Sequence, residues 1–394
     1  MITFREAQNI IDSRAKSFDI ENIPLEEADG RVLAETIYAD RDYPPFNRSQ
    51  MDGYAFNIND WENGVRKFRL TATVFAGQPV PPAPGSGECI KIMTGAAVPH
   101  PANAVIRRED AVENDGSVTF NIDQVLPFFN IAQQGEDLKK GGIAIEAFCI
   151  CSPAVISTLA ALGKTKLSVT KLPSVALFTT GNEVKPVSED IGDAEIRNSN
   201  EWLLKSLLRQ WQIKPSFKHI PDNVQELEEN IRQALDKDIV ILCGGVSAGD
   251  ADFVPQVLEK LGVQLLFHKV ALKPGKPVWC GEYPGGCIVF ALPGNPFSCL
   301  VTFKLFIEPY LRLSSGLPPA GISTLPLNGQ RVKKVSFDEF FPARISGKPA
   351  MLEIMQINGS GDIRLGLHAD VIALQPADKT VIENETELEY LRLF

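Results

Sequence analysis

The feature that most constrains the fold is a repeated alternation of apolar runs and amphipathic segments between residues 173 and 315. The runs SVALFTT, KDIVILC and CIVFAL are typical of buried strands, whereas NSNEWLLKSLLRQW and VQELEENIRQAL have helical periodicity. Strands that alternate with helices form a parallel sheet with helices on both faces. The sequence therefore predicts a doubly wound α/β domain at residues 173–318.

The rest of the chain differs from this domain. Residues 44–139 carry short β-type runs separated by turn signals, which predicts a mostly-β domain inserted between apolar-rich flanks. The flanks, residues 1–43 and 140–172, are expected to form one α+β domain that begins with the helix TFREAQNIIDSRA. Residues 319–394 return to β-type alternation and predict a small, barrel-like C-terminal β domain.

Charge and apolar patterning exclude several classes of partner. The net charge is -10 and no lysine or arginine block stands out, which argues against nucleic acid and anionic membrane surfaces. The longest apolar stretch, residues 143–162, is interrupted by Glu146 and Pro153, so we reject a membrane span. A strand followed by a helix that begins at Ser152 and ends at Gly163 fits this stretch better.

The seven cysteines are scattered and form no CxxC pair, and the chain has four histidines, which makes a zinc site improbable. Dispersed cysteines in a chain of this length are typical of reduced thiols, and the charged N-terminus lacks the apolar block of a signal peptide. We therefore expect a cytoplasmic protein.

Four loops should meet at the edge of the predicted sheet where its strands end, because ligands bind there in doubly wound folds. They are TTGNEV (179–184), the segment around Asp222, GGVSAGDAD (244–252) and PGNP (293–296). Glycines let backbone N–H groups approach an oxyanion, which predicts binding of a phosphate-like group. Each loop alone is equally typical of a tight turn, and neither a P-loop nor a dinucleotide-binding motif is present.

Carboxylates in these loops would repel a phosphate unless a cation lay between them. Glu183, Asp222, Asp250 and Asp252 are such carboxylates, and Mg²⁺ prefers a few carboxylates together with phosphate oxygens. Helix capping is the alternative role for Asp250 and Asp252.

Lys269, Lys273 and Lys276 lie close together in a proline-stiffened stretch of a strongly acidic chain. This arrangement predicts an ammonium cluster that faces an oxyanion, and a solvated basic surface is the alternative.

Together these segments resemble the MoeA-type molybdopterin molybdenumtransferases, the family that includes the gephyrin E-domain. The matching segments follow the family's order and are GRVLAETIYADRDYPPFNRSQMDGYAF, IMTGAAVP, GEDL, TTGNEV, IRNSN, GGVSAGDADF, ALKPGKP and LPGNP. The resemblance implies four domains, with an elongated N-terminal one, in a homodimer. It also implies a Mg²⁺-dependent reaction of adenylylated molybdopterin with molybdate, which yields molybdenum cofactor and AMP.

The resemblance further implies residue roles. Catalytic roles fall on Asp52, Thr94, Asp137, Glu183, Asp222, Asp252, Lys269 and Lys273, with Mg²⁺ held by Glu183, Asp222 and Asp252. The first three would complete the cleft from the β domain across the dimer interface. Binding of the pterin, its phosphate or molybdate falls on Asn198, Ser199, Asn200, Gly244, Gly245, Ser247, Asp250, Lys276, Pro293, Gly294, Asn295, Arg344 and Ser360.

Two departures from the family pattern stand out. Asn182 occupies a position that is usually acidic, and residues 359–370 differ from the usual small, polar tail motif. Asp362, within that tail, would be a poor neighbour for molybdate.

Two other functions remain open at this point, namely adenylylation of molybdopterin and a scaffold that binds partner peptides. The segments MDGYA and GEDL, which lie outside the α/β domain, favour molybdenum insertion. The expected partners are small-molecule substrates and a second copy of the chain. Transient contacts with the adenylyltransferase and with molybdoenzyme acceptors are also expected.

Overall fold

The computed structural model describes residues 1–246, 253–364 and 366–393. By its internal contacts the chain divides into two units. The first consists of Met1–Ala34, Phe148–Pro153 and Lys166–Phe394, and the second of Glu35–Ala147 and Ala154–Thr165.

A six-stranded sheet forms the centre of the first unit. Its strands are β1 (Val175–Thr180), β2 (Ser216–Ile220), β3 (Ile239–Cys243), β4 (Gln264–His268), β5 (Trp279–Glu282) and β6 (Ile288–Leu292), in the order β2-β1-β3-β6-β5-β4. The first four strands in this order pair in parallel, as predicted. The edge hairpin of β4 and β5, which pairs antiparallel, was not predicted from the sequence.

Helices cover both faces of this sheet, and the side chains of the central strands are accordingly buried on both sides. In β3, Ile239 and Ile241 join one hydrophobic core and Val240 and Leu242 join the other. The helices are α1 (Ser199–Gln210), α2 (Val224–Ala234), α3 (Val254–Lys260), α4 (Pro296–Thr302) and α5 (Glu308–Ser314), with a π-helical stretch at Phe303–Ile307. The predicted doubly wound domain is confirmed.

The N-terminal helix, Phe4–Arg14, packs on the first of these cores. It begins with a capping box in which the Thr3 side chain accepts the Glu6 N–H and the Glu6 carboxylate accepts the Thr3 N–H. Phe4 and Ile11 are buried, which fits the helical periodicity of the sequence. An antiparallel sheet of short strands follows, made of Ile20–Pro24, Lys166–Thr170, Val32–Leu33 and Cys149–Ile150.

The C-terminal part of the first unit is a closed barrel. Its strands, in pairing order, are Asp338–Ser346, Met351–Ile354, Ser323–Asn328, Glu387–Arg392 and Val371–Gln375. The barrel is closed because its first strand, Asp338–Ser346, pairs with both the second strand, Met351–Ile354, and the last, Val371–Gln375. The short strand Leu272–Lys273 adds to Asp338–Ser346, and Arg331–Val332 pairs with Val381–Ile382. The barrel-like domain predicted for the tail is confirmed.

The second unit is mostly β structure, as predicted. Its six-stranded sheet consists, in order, of Ala104–Arg107, Gly53–Phe56, Glu88–Ile92, Lys67–Val74, Ser117–Phe120 and Ala111–Asn114. Phe56, Phe68 and Phe120 form the centre of its core, with ring centroids 4.9–5.1 Å apart. Two strand pairs, Arg48–Ser49 with Ile131–Ala132 and Ile37–Tyr38 with Ile143–Ile145, and the helix Ile58–Glu62 complete its main elements.

The apolar stretch at 143–162 contains two short strands and the helix Pro153–Ala161, which precedes Gly163 at a positive φ of 68°. Among the described residues, no helix is both long and apolar enough to cross a bilayer.

The turn that follows β3 requires glycine at position 244. Gly244 has φ of 102°, and a Cβ there would lie 2.7 Å from Thr180 Oγ1. We expect Gly244→Ala to lower the free energy of unfolding by roughly 2–4 kcal/mol, since backbone strain and a steric clash act together. Urea unfolding measures this change.

Gly262→Ala is the matched control. Gly262 also has a positive φ, of 80°, but apart from its two chain neighbours no described residue lies within 4 Å of the added Cβ. Strain alone should cost about 1 kcal/mol there. If both variants lose the same free energy of unfolding, the close approach of Gly244 to Thr180 does not add to the cost of the substitution.

Candidate functional site

A cavity of about 990 Å³ lies at the carboxyl edge of the parallel strands. It is lined by the loops that follow β1, β2, β3 and β6, by the segment that leads into α1, and by part of the barrel domain. Ten of the residues predicted from the sequence line it, namely Glu183, Asn198, Ser199, Asn200, Asp222, Gly244, Gly245, Pro293, Gly294 and Asn295. The expected convergence of four separate loops therefore occurs. Ser247, Asp250 and Asp252 lie outside the described residues.

The strand order arranges these loops in a row. Asp222 follows β2, Glu183 follows β1, Gly244 follows β3 and Gly294 follows β6. Neighbouring strands lie about 4.8 Å apart, so the loops after β2 and β6 are separated by roughly 14 Å along the sheet edge. The cavity thus has an end near Asp222 and another end near Gly294.

The first end contains the carboxylates of Glu183 and Asp222. The backbone N–H of Asn182 donates to Asp222 Oδ2 at 3.2 Å, and the backbone N–H of Asp222 donates to Asn182 Oδ1 at 3.1 Å. This reciprocal pair ties the loops after β1 and β2 together. Asn182, the departure from the family pattern, therefore links the two loops without adding a third negative charge.

These two carboxylates form a donor set that fits Mg²⁺. Mg²⁺ is usually bound by one or two carboxylates, with phosphate oxygens and water completing its shell. Within residues 1–246, 253–364 and 366–393, no cluster of three histidine, cysteine or acidic side chains is arranged to hold a metal. Protein ligands alone would thus not form a complete metal shell in this part of the chain.

The middle of the row is the glycine turn after β3. Gly244 and Gly245 both have positive φ, and Gly244 lies close to Thr180. The Thr180 hydroxyl is buried and has no hydrogen-bond partner among the described residues. A buried hydroxyl without a partner costs free energy, so a ligand that pairs with it gains affinity. Thr180 was not predicted as a site residue, because one of two adjacent threonines carries no distinguishing sequence signal.

In the segment Asn198–Asn200, the two asparagines make different hydrogen bonds. Asn198 is the N-cap of α1, with its Oδ1 accepting the Glu201 N–H at 3.1 Å and its Nδ2 donating to Thr179 Oγ1 at 2.8 Å. Asn200 donates from Nδ2 to the Gly294 carbonyl at 2.6 Å. Its Oδ1 is buried without a partner among the described residues. Asn198 therefore holds the helix start, and Asn200 keeps one polar atom available.

The lysine stretch leaves β4 at the same edge of the sheet but contacts the barrel domain. Lys273 Nζ lies 3.1 Å from Glu339 Oε1, and Lys276 Nζ lies 5.4 Å from the centroid of the Phe337 ring. Among the described residues, Pro277 lines the cavity, whereas Lys269, Lys273 and Lys276 do not. The structure thus gives two of the three lysines partners within the protein.

The atypical tail reaches the cavity through Gly361 and Ile363. Ser360 accepts two hydrogen bonds, from Asn295 Nδ2 to its Oγ and from the Phe297 N–H to its carbonyl, each at 3.0 Å. These bonds attach the tail to the loop after β6. Arg344 does not line the cavity in the described structure and pairs instead with Glu353, with Nη2 and Oε2 2.8 Å apart.

Asp362 is turned into its own loop rather than towards the cavity. It accepts hydrogen bonds from the Arg364 side chain and from the backbone N–H groups of Asn358 and Arg364. The Arg364 guanidinium and these donors hold the pKa of the Asp362 carboxyl far below its usual range. The conflict with molybdate expected from the sequence is thereby reduced, because this charge is already paired.

In the second unit, the fold brings Asp52 and Thr94 together. The backbone N–H and the hydroxyl of Thr94 both donate to Asp52 Oδ1 at 2.7 Å. These two bonds lower the pKa of the Asp52 carboxyl, so this side chain is an anion at neutral pH. Asp137 lies in the same unit, where its backbone N–H donates to the Tyr43 carbonyl at 3.0 Å.

Comparison with known proteins identifies the family. Residues 2–163 match the family described as "MoeA N-terminal region (domain I and II)", and residues 176–313 match "Probable molybdopterin binding domain". The molybdopterin molybdenumtransferase of Staphylococcus epidermidis is 36% identical over 295 residues, which cover 73% of this chain and 70% of the relative. The chain belongs to the MoeA family. The Haemophilus influenzae molybdopterin molybdenumtransferase is 34% identical, with 80% of this chain and 78% of the relative covered.

Solved MoeA structures have the same fold. The crystal structure of the molybdopterin biosynthesis MoeA protein from Pyrococcus horikoshii OT3 matches with a TM-score of 0.84 at 27% identity, over 99% of this chain and 100% of that one. A Pyrococcus furiosus molybdenum cofactor biosynthesis protein, 19% identical, has the same fold, with a TM-score of 0.62 over 99% and 98% of the two chains. The predicted family, fold class and assignment as a transferase are confirmed. The scaffold and adenylyltransferase alternatives are not favoured.

Thr180→Val tests whether this MoeA-family cavity uses the unpartnered hydroxyl. We expect the thermal stability of the ligand-free protein to be unchanged or slightly higher, because Val has a similar shape and removes an unsatisfied polar group. Binding of pyrophosphate, measured by calorimetry, should weaken about tenfold, the equivalent of one lost hydrogen bond to a charged group. Unchanged binding would remove Thr180 from the ligand site.

Proposed function

We propose that the chain inserts molybdate into adenylylated molybdopterin, with release of AMP, in a Mg²⁺-dependent reaction. Membership of the MoeA family supports molybdenum insertion into molybdopterin as the general activity. One observation carries the finer proposal. A single cavity combines two carboxylates with a glycine turn whose backbone and Thr180 hydroxyl can face an anion.

In this proposal, two features of the cavity offset the negative charge of the substrate's phosphates. In this proposal Glu183 and Asp222 hold Mg²⁺, and Asp252 is the third ligand that the resemblance implies. When bound there, Mg²⁺ would neutralise phosphate oxygens and polarise the phosphoric anhydride bond. The turn at Gly244 and Gly245 would place backbone N–H groups near the same oxygens, which requires no ionisable donor.

The protein groups need to move few protons in this reaction. Their main tasks are to hold two anionic reactants together and to stabilise charge that develops on the leaving phosphate. Lys269, Lys273 and Lys276 supply positive charge at the sheet edge in this proposal. In this proposal the anion shares Lys273 with Glu339, the carboxylate that this lysine contacts in the structure. Arg344 and Ser360 remain proposed contacts for molybdate.

Mg²⁺ titration of turnover tests the carboxylate end of the cavity. We expect Glu183→Gln and Asp222→Asn each to raise the Mg²⁺ concentration for half-maximal AMP release by about tenfold or more, because each removes one charged ligand. Glu226→Gln, an exposed first-turn glutamate of α2 outside the cavity, is the control and should keep the wild-type titration. Wild-type Mg²⁺ dependence in both cavity variants would refute the proposal that Glu183 and Asp222 bind Mg²⁺.

We also propose that Asp52, Thr94 and Asp137 take part in the reaction and that the working form is a homodimer. The exposed Asp52 carboxylate, held by Thr94, supports an electrostatic role. A sedimentation mass equal to that of one chain would refute the dimer. Transient contacts with the adenylyltransferase and molybdoenzyme acceptors, and a cytoplasmic location, complete the proposal. Seven free cysteines support a reducing compartment.

Asp52→Ala is expected to fold normally, because Asp52 is exposed, but to reduce molybdate-dependent AMP release by about 100-fold. Asp123→Ala, an exposed aspartate of the same unit, is the control. Circular dichroism checks folding and a coupled AMP assay checks turnover. Wild-type turnover in Asp52→Ala would exclude an essential role for this carboxylate.

A further inference from the structure

The end of the cavity near Gly294 has a different chemistry from the carboxylate end, and Asn200 defines it. The Gly294 carbonyl can only accept a hydrogen bond, so the Asn200 atom 2.6 Å from it must be the amide nitrogen. The other amide atom, Oδ1, is therefore an acceptor. It is buried and has no partner among the described residues.

An unpartnered acceptor selects the kind of ligand group that can approach it. A carbonyl oxygen pairs with N–H or O–H donors and repels phosphate oxygens, which are themselves acceptors. Asn200 is thus suited to an amino group rather than to the phosphates. The separation of roughly 14 Å from the loop of Asp222 places this acceptor well away from the carboxylates, given the spacing of adjacent strands.

An apolar surface lies on the same part of the cavity wall. Ile363 lines the cavity and is 80% exposed, so its side chain is accessible to a ligand. Its position is held by the bonds of Asp362 within the tail and by the Asn295–Ser360 bond. Pro293 and Pro296 also line the cavity beside the loop after β6. Such a surface is suited to the face of a planar ring.

We propose that Asn200 and Ile363 form a subsite for an amino-substituted planar heterocycle of the substrate. Asn200 Oδ1 accepts a hydrogen bond from the exocyclic amino group, and Ile363 packs on the ring face. This inference rests on the proposed function, and it assigns the ring to the Gly294 end and the phosphates to the Asp222 end. Both the pterin and the adenine of adenylylated molybdopterin have this chemistry, so the test separates them.

Calorimetric titration with two matched ligand pairs tests the subsite. AMP is compared with purine riboside 5′-monophosphate, which lacks the amino group, and 6-carboxypterin is compared with 6-carboxylumazine. In the wild type, we expect one pair to show about tenfold tighter binding of the amino-bearing member, the usual effect of one hydrogen bond to a buried acceptor. The pair that shows this preference identifies the ring.

Asn200→Ala should reduce that preference to nearly one. This substitution also removes the hydrogen bond from Asn200 to the Gly294 carbonyl. Any resulting change in the loop affects both members of a ligand pair equally, so their affinity ratio still reports on Oδ1. Ile363→Ser should instead weaken both members of the pair about fivefold and leave their ratio unchanged, since it removes only apolar contact. Leu367→Ser is its control, because Leu367 is 76% exposed in the same tail but does not line the cavity in the described structure.

Three results would overturn the subsite. They are the absence of an amino-group preference in both pairs, a preference that survives Asn200→Ala, and wild-type affinity in Ile363→Ser. AMP release by the wild-type protein is measured in parallel. Normal, molybdate-dependent release together with any of these results rejects only the ring assignment, whereas absence of release from adenylylated molybdopterin rejects the proposed function itself.

Discussion

Parallel pairing of β2, β1, β3 and β6 is the constraint on which the rest of the structure depends. Parallel strands need crossover helices, and these bury both faces of the sheet, which is why β3 is apolar at every position. The same pairing places all strand ends at one edge. The four loops that follow then lie side by side, so residues distant in sequence, such as Glu183 and Gly294, line one cavity.

In the proposed function, an anionic ligand meets neutral donors in this cavity as well as the charged side chain of Arg197. The backbone turn at Gly244 and Gly245 and the Thr180 hydroxyl can donate to an anion without adding charge, whereas Asn200 presents an acceptor. Several charged side chains nearby are paired within the protein. Lys273 contacts Glu339 and Asp362 binds Arg364, so these paired charges hold loops in place.

The barrel domain contributes to the cavity because it is attached to the sheet at defined points. Leu272–Lys273 pairs with a barrel strand, and Ser360 binds Asn295 in the loop after β6. These links bring Ile363 to the cavity wall. The tail thus places an apolar side chain at the cavity wall, and the Asp362 carboxylate is paired with Arg364 within the same loop.

The sequence alone predicted the doubly wound domain and the barrel-like tail, because periodicity is a local property of the chain. It also placed seven of the cavity-lining residues in loops at the strand ends, whereas Asn198, Ser199 and Asn200 were predicted from the family resemblance. It did not reveal the edge hairpin of β4 and β5, the partners of Lys273 and Lys276, or the position of Thr180 and Ile363 at the cavity wall. Those features depend on which side chains meet across the tertiary structure. A hydroxyl without a partner, or an isoleucine at a cavity wall, becomes distinctive only when its neighbours are known.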